Sequence, residues 1–256
     1  MNYLARNEEV LAIQKTIYDS MNPTRRWLHR TRRAWVMDAI RRHAKEDGRA
    51  IEIGPGSGVY LPHLLAHFAQ VEAADIERQF LAEAERLAAG DKRLTTRIAD
   101  ITRDALPDEA YDLILCTEVI EHIADSAAAL RRMARMLKPG GVLVLTTPHR
   151  WSLLEMTAWL AFKPGFIHLV RAIYGEAVFE MGHINLLTRA MLADQLREAN
   201  LAPFEHEVMG LYLPLIAEFG GKRAQRFEEW LENRLRNTSL RQLLWTQAYC
   251  CRKAAP

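Results

Sequence analysis

Two hydrophobic periods divide the chain. Over 3–20 and 24–46 apolar residues recur at helical spacing, and Asn22-Pro23 separates the two helices they predict. Short apolar runs then predict strands at 50–53, 71–75, 93–99, 111–116 and 142–147. Between them lie a helix with Leu61, Leu64, Leu65 and Phe68 on one side, a helix over 77–89 stopped by Gly90, and a helix over 125–137 stopped by Pro139-Gly140-Gly141. After Pro148 the alternation pauses in an aromatic, amphipathic stretch, 151–180. It resumes with a helix over 189–199, a strand over 204–210, a helix over 215–236 and a last strand over 243–252. Strands alternating with helices predict βαβ units, and hence a mostly parallel sheet with helices on both faces. The expectation is one α/β domain with seven strands. Its parts are a helical cap over 1–47, a ligand-binding core over 48–148, a helical lid over 149–187, and a C-terminal part over 188–256 that completes the sheet.

Composition narrows this only slightly. The chain has 256 residues, 49% of them apolar, which is enough for a sizeable core. The net charge of +2 hides a local excess. Arg25, Arg26, Arg30, Arg32, Arg33, Arg41, Arg42 and Lys45 face a single acid, Asp38, within 23–45. Such a helix meets nucleic acid, anionic lipid or an acidic substrate, or is a solvated face. Cys116, Cys250 and Cys251 form neither a disulfide framework nor a metal knuckle, and no metal is expected. The N-terminus lacks the apolar core of a signal peptide, and no apolar run is long enough to span a membrane. These features predict a cytoplasmic protein. The basic helix and the apolar stretch 151–180 together raise peripheral contact with an anionic membrane.

The candidate chemistry begins at Glu52-Ile53-Gly54-Pro55-Gly56-Ser57-Gly58, which links the first strand to its helix. In open α/β sheets ligands bind there, beyond the carboxyl ends of the strands. Asp75 ends the second strand, where an acid accepts hydrogen bonds from ribose hydroxyls, and Ile76 follows it. Asp100 ends the third strand, and with Ile101 it offers a polar and an apolar contact for adenine. A dinucleotide loop places a third glycine where Val59 stands, and Glu52 would repel a pyrophosphate. That carboxylate suits a cationic cofactor end instead.

Together, the glycine loop, Asp75, Asp100, Tyr111-Asp-Leu-Ile114, Glu118-Val-Ile-Glu-His-Ile123 and Leu137-Lys-Pro-Gly-Gly141 resemble the class I S-adenosylmethionine-dependent methyltransferases. The resemblance is nearest to the ubiquinone-biosynthesis O-methyltransferases and the type 11 methyltransferases. It runs strongly over 48–148 and weakly, through Gly182-His-Ile-Asn-Leu-Leu-Thr188, to about 200. It implies a Rossmann-like sheet with S-adenosylmethionine as cofactor. Glu52, Gly54, Pro55, Gly56 and Gly58 would line the methionine end, Asp75 and Ile76 the ribose, Asp100 and Ile101 the adenine, and Thr117 the amino-acid end. Arg30, in Leu28-His29-Arg30, would meet the cofactor carboxylate, and Tyr18 would cover it.

Methyl transfer needs positioning above all, and a base only when the acceptor starts protonated. His122 is the candidate base, followed by His149 and His183. The expected acceptor is a small or lipid-like molecule, methylated on oxygen or nitrogen or, less readily, carbon. Nucleic acid is disfavoured as a partner because no aromatic base-stacking motif accompanies the arginines. Two alternatives remain at this point: an RNA or protein methyltransferase using the basic helix, and a non-catalytic cofactor-binding protein. Oligomeric state is left open.

Overall fold

Successive side chains of the strands point to opposite faces of the sheet, and both faces are buried, which sorts the core into two layers. Ile51 and Ile53 of β1 (Lys45–Ile53) and Ile114 and Cys116 of β4 (Tyr111–Thr117) face one side. There they pack with Leu130 and Met133 of α5 (Ser126–Met136) and with Leu192 and Leu196 of a helix over Arg189–Glu198. Ala50, Leu113 and Leu115 face the other side, against Val36 and Ile40 of α2 (Pro23–Arg42), Leu61 and Leu64 of α3 (Leu61–Leu65) and Leu81 of α4 (Arg78–Ala88). The computed structural model describes residues 3–161 and 182–253.

The remaining strands are β2 (Phe68–Asp75), β3 (Leu94–Ile98), β5 (Leu137–Pro148), β6 (Leu201–Met209) and β7 (Thr246–Lys253). One sheet holds all seven in the order β3-β2-β1-β4-β5-β7-β6. The first five run parallel, and β7 runs antiparallel to both neighbours. This is the expected Rossmann-like, mostly parallel sheet. Its winding reverses between β1 and β4, so a ligand crevice opens where those two strands end.

Several boundaries differ from expectation for identifiable reasons. The first helix, α1 (Tyr3–Thr16), gives way to a 3-10 turn over Ile17–Asp19. Asn22 caps α2, accepting a hydrogen bond from the Arg25 N–H, with Pro23 in its first turn. That helix ends at Arg42 because β1 already pairs with β2 from Lys45. Phe68, expected on the face of α3, is the first residue of β2 and is buried there. The helix expected over 215–236 is two: Pro214–Phe219 and Gly221–Leu235. Gly221 joins them at φ +53, a conformation that favours glycine. The last strand starts at Thr246 because Ser239–Leu243 forms a 3-10 turn. Of the expected lid, α6 (Leu153–Ala161) is described, and 162–181 lie outside the described residues. The two helices that follow, Arg189–Glu198 and Pro214–Phe219, are α7 and α8, and Gly221–Leu235 is α9.

One polar cluster is built into this core. Glu72 on β2 is buried and accepts hydrogen bonds from Arg49 (2.6 Å), Arg97 and the Tyr111 hydroxyl (2.8 Å). Burial pushes its pKa up, but the three donors outweigh burial and hold it below the ordinary value. Its stabilising contribution is therefore present above the usual carboxylate pKa and is lost as pH falls through the lowered one. We expect Glu72→Gln to cost about 1–3 kcal/mol in urea denaturation at neutral pH, because it weakens a charge-assisted network around a buried hydroxyl. An unchanged midpoint would mean that the arginines and Tyr111 are satisfied without the carboxylate.

Candidate active site

At the carboxyl end of β1 the backbone turns through three left-handed glycines, with φ of +69 at Gly54, +51 at Gly56 and +69 at Gly58. Gly54 N–H donates to the Ala74 carbonyl at 2.8 Å, which ties the loop to β2, and Gly58 N–H donates to Pro55 at 2.7 Å. A Cβ on Gly54 would come within 2.5 Å of the Val119 side chain, so the loop and the segment after β4 touch through bare backbone. Above Gly56 sits the Gln14 amide of α1. Its oxygen is buried and has no hydrogen-bond partner among the described residues.

Beneath the loop lie two uncompensated acids. Glu52 is 1% exposed, and its Oε2 has no partner among the described residues. Burial, then the neighbouring Asp75, pushes its pKa up to about 8. Asp75 itself is pushed to about 6, mainly by burial, although it accepts the Glu77 N–H at 2.8 Å. A cation or a set of hydrogen-bond donors placed over them would relieve both. Ile76, next to Asp75, is 62% exposed and offers an apolar platform. The structure thus brings Glu52, Gly54, Pro55, Gly56, Gly58, Asp75 and Ile76 together at the crevice.

The other expected cofactor residues divide. Asp100 stands at the end of β3 and accepts the Thr102 N–H (2.8 Å) and hydroxyl (2.6 Å), which lower its pKa; Ile101 is buried beside it. Thr117 ends β4, half-buried. Tyr18 packs under the Arg33 guanidinium, 4.7 Å from its ring, and neighbours the buried Tyr60 just beyond the glycine loop. Arg30 is engaged with the 3-10 turn that precedes its helix. It is exposed, pairs with Asp19 at 2.6 Å and donates to the Tyr18 carbonyl at 2.7 Å. The buried arginine is Arg32. It donates to Glu118 at 2.6 Å and lies 4.9 Å from the Trp245 ring. Arg32 continues the stripe of Leu28, Val36 and Ala39 along the inner face of α2, and that helical spacing is the signal that distinguishes it from Arg30. Much of the basic helix is engaged inside the molecule: Arg25 with Glu218, Arg41 with Asp38, and Arg42 with Asp38 and Glu205.

Glu118 takes a left-handed backbone, φ +55, which is costly for a residue with a side chain. Three contacts hold it. Its N–H donates to the Thr146 carbonyl (2.9 Å), and its carboxylate accepts from Thr146 Oγ1 (2.9 Å) and from Arg32 (2.6 Å). This bend turns the chain so that Val119 meets Gly54, and a 3-10 turn over Ile120–His122 follows.

That turn carries a cluster which the sequence listed only as separate histidines. His122 is exposed, and its Nδ1 lies 3.2 Å from the Gly182 carbonyl, so that nitrogen carries the proton and Nε2 is left as an acceptor. The His183 ring lies 5.1 Å away and donates through Nδ1 to Glu155 Oε2 at 3.1 Å. Glu155, buried on α6, also accepts the Trp245 indole N–H at 3.2 Å. Loss of hydration on the covered side of its ring, then His183, lowers the pKa of His122. Burial opposes the charged form of His183 as well, but the bond and charge of Glu155 outweigh it and raise its pKa. Glu121 is buried, accepts the Thr147 hydroxyl at 2.9 Å, and is pushed up to about 8 by burial and by Glu118. Single donor atoms of Glu121, His122 and His183 lie within 4.8 Å of one another, close enough to pass a proton or to hold a divalent cation. His149 is set apart. It is buried, its Nδ1 faces the Trp151 N–H at 3.1 Å, and its Nε2 lies 3.4 Å from the Arg189 N–H.

Fold and crevice together define an α/β protein of the Rossmann-like type with an adenosine-cofactor site. A family model described as a methyltransferase domain matches residues 24–206, and the chain belongs to that family. Among curated relatives, a ubiquinone biosynthesis O-methyltransferase of Ralstonia nicotianae is 31% identical over 174 residues, covering 67% of this chain and 69% of that protein. The protein of the same name from Methylococcus capsulatus is 29% identical over 54% of this chain and 57% of its own length. The matched stretch is 44% of the Marinobacter nauticus relative, so the chain spans about half the length of several relatives it matches. Among solved structures, the N-methyltransferase NodS of Bradyrhizobium japonicum, in complex with S-adenosyl-L-homocysteine, superposes with a TM-score of 0.60 at 16% identity, covering 98% of each chain. An S-adenosylmethionine-dependent methyltransferase of Mesorhizobium loti gives 0.57 at 19% identity, over 84% of this chain and 96% of that one. The cofactor is S-adenosylmethionine, and the orphaned Glu52 carboxylate, the Gln14 amide and the glycine cradle fit its cationic amino-acid end.

The raised pKa of Glu52 has a direct thermodynamic consequence. Between its ordinary value and about 8 the folded chain holds a proton that the unfolded chain has released. Folding of the cofactor-free protein therefore weakens as pH rises through that window. Thermal melts from pH 6 to 9 should show a smaller loss of stability in Glu52→Gln than in the parent chain. Parallel losses would place the ionised carboxylate in a solvated setting.

Proposed function

We propose that the chain transfers a methyl group from S-adenosylmethionine to the hydroxyl of an apolar small molecule. The observation that carries this reading is His122, exposed at the end of the β4 turn with its Nδ1 committed to a carbonyl and its Nε2 available to accept a proton. The name shared by the relatives points the same way, to an O-methylation step in ubiquinone biosynthesis.

Bound at the glycine loop, S-adenosylmethionine supplies a methyl group already activated by its sulfonium. Glu52 and Asp75 hold the ammonium and ribose ends, and Asp100 with Ile101 borders the adenine. Arg32, through Glu118, keeps the β4 turn in its bent form, so that His122 faces the methyl-bearing end of the crevice. His122 Nε2 would accept the acceptor hydroxyl's proton, leaving that oxygen free to take the methyl group the bound cofactor would supply. His183, whose pKa Glu155 raises, disfavours a proton on His122 and so leaves it ready to accept one. Met156 and Leu160 of α6, 45% and 46% exposed, favour an apolar acceptor.

Replacing His122 by Ala should lower turnover of a phenolic acceptor by about a hundredfold or more while leaving S-adenosylhomocysteine affinity within a few-fold. Turnover within about threefold of the parent would remove His122 as the base. The mutual closeness of Glu121, His122 and His183 favours a second reading, in which they hold a divalent cation that lowers the pKa of the acceptor hydroxyl. Loss of turnover on chelation, restored by one added divalent ion, would select it.

A further inference from the structure

A second set of donors lies three to four strands across the sheet from the glycine loop, roughly 15–19 Å at the usual strand spacing. His43 caps the C-terminal end of α2, Glu205 lies on the edge strand β6, and Cys250 lies on β7. One donor atom of each comes within 4.8 Å of the other two. The sheet is adjusted to bring this about. The register of β6 against β7 shifts between Pro203 and Glu205, an irregularity that sets Glu205 directly opposite Cys250. Cys250 is fully buried and packs in the layer that faces α2. His43 Nε2 is buried without a hydrogen-bond partner among the described residues, while the ring stands edge-on to Phe204 at 5.4 Å. A nitrogen left in that state is costly unless something binds to it.

We propose that His43, Glu205 and Cys250 form a site for a thiophilic divalent ion of the zinc type, which clips the end of α2 to the β6–β7 edge. A mixed imidazole, carboxylate and thiolate set suits zinc or cobalt and is a poor match for magnesium or calcium. Arg42 pairs with Asp38 and, at 2.6 Å, with Glu205, and Arg252 lies over the Phe204 ring at 4.3 Å, so Glu205 is held beside the other two donors. Burial, then Arg42, lowers the pKa of His43, which keeps the imidazole neutral as a ligand must be. Burial, followed by Glu205, pushes Cys250 up to about 12, so without metal it is a thiol. Binding then breaks the S–H bond, forms a metal–sulfur bond and releases that proton to solvent, and affinity rises with pH.

Cobalt(II) titrated into the full, metal-stripped chain is the probe. The proposal predicts a thiolate-to-cobalt charge-transfer band that saturates at one ion per chain and is displaced by zinc. It predicts that Cys250→Ser abolishes the band. His43→Gln and Glu205→Gln should each weaken cobalt binding at least tenfold, since even outer-shell partners of a metal carry that much. Unchanged S-adenosylhomocysteine binding by each variant verifies the fold. Zinc should also raise the melting temperature of the parent chain and not that of Cys250→Ser. Absence of the band in the parent, or its survival in Cys250→Ser, overturns the proposal.

Discussion

Burying a carboxylate without a partner is among the more costly things a fold can do, and this fold does so at Glu52. The side chain lies under the glycine loop, with Asp75 close enough to push it further toward the neutral form. Among the described residues neither acid forms an ion pair there. The arrangement makes sense when the missing partner is a ligand, and the ligand's charge follows from the site's. An anion such as a pyrophosphate would add to the repulsion, whereas an ammonium together with ribose hydroxyls removes it. The left-handed glycines let the loop pack this closely, since a Cβ at Gly54 would strike Val119 and one at Gly56 the Gln14 amide.

The reacting end depends on a different device. Arg32, buried on α2, grips Glu118, and Thr146 of β5 grips the same residue from the other side. Held in a left-handed conformation, Glu118 turns the chain sharply after β4. Two strands, β4 and β5, and helix α2 thus fix where His122 stands. Glu155 does comparable work for His183 from α6, with Trp245 of the segment before β7 bound to its other oxygen. Two histidines with environments that push their affinities for a proton in opposite directions are thereby placed face to face.

Much of this was legible in the sequence because it is local. Short apolar runs between helical stretches predicted all seven strands, and the glycine loop with Asp75 predicted the crevice. The break at Gly220-Gly221 was hidden because the apolar spacing of the helices runs through it. Matching letters drew attention to Arg30, whereas the helical period would have chosen Arg32, which shares a face with Leu28 and Val36. The Glu155–His183–His122 chain was out of reach for another reason. Its members are separated by up to 61 positions between His122 and His183, and no periodic pattern records a contact made by the fold. His149 illustrates the converse: a histidine at a strand end, near the ligand side of the sheet, whose ring nitrogens are committed to the backbone.

The central claim is that Glu52 is protonated in the free protein and ionises when the cationic cofactor arrives. Calorimetric titration of S-adenosylmethionine at pH 7, in two buffers of different ionisation enthalpy, measures the protons exchanged on binding. The account predicts release of close to one proton, about 0.9 if the carboxyl titrates near 8 beforehand and well below 7 afterwards, and no such release from Glu52→Gln. Binding with no proton release by the parent chain, or with the same release by both chains, would contradict it.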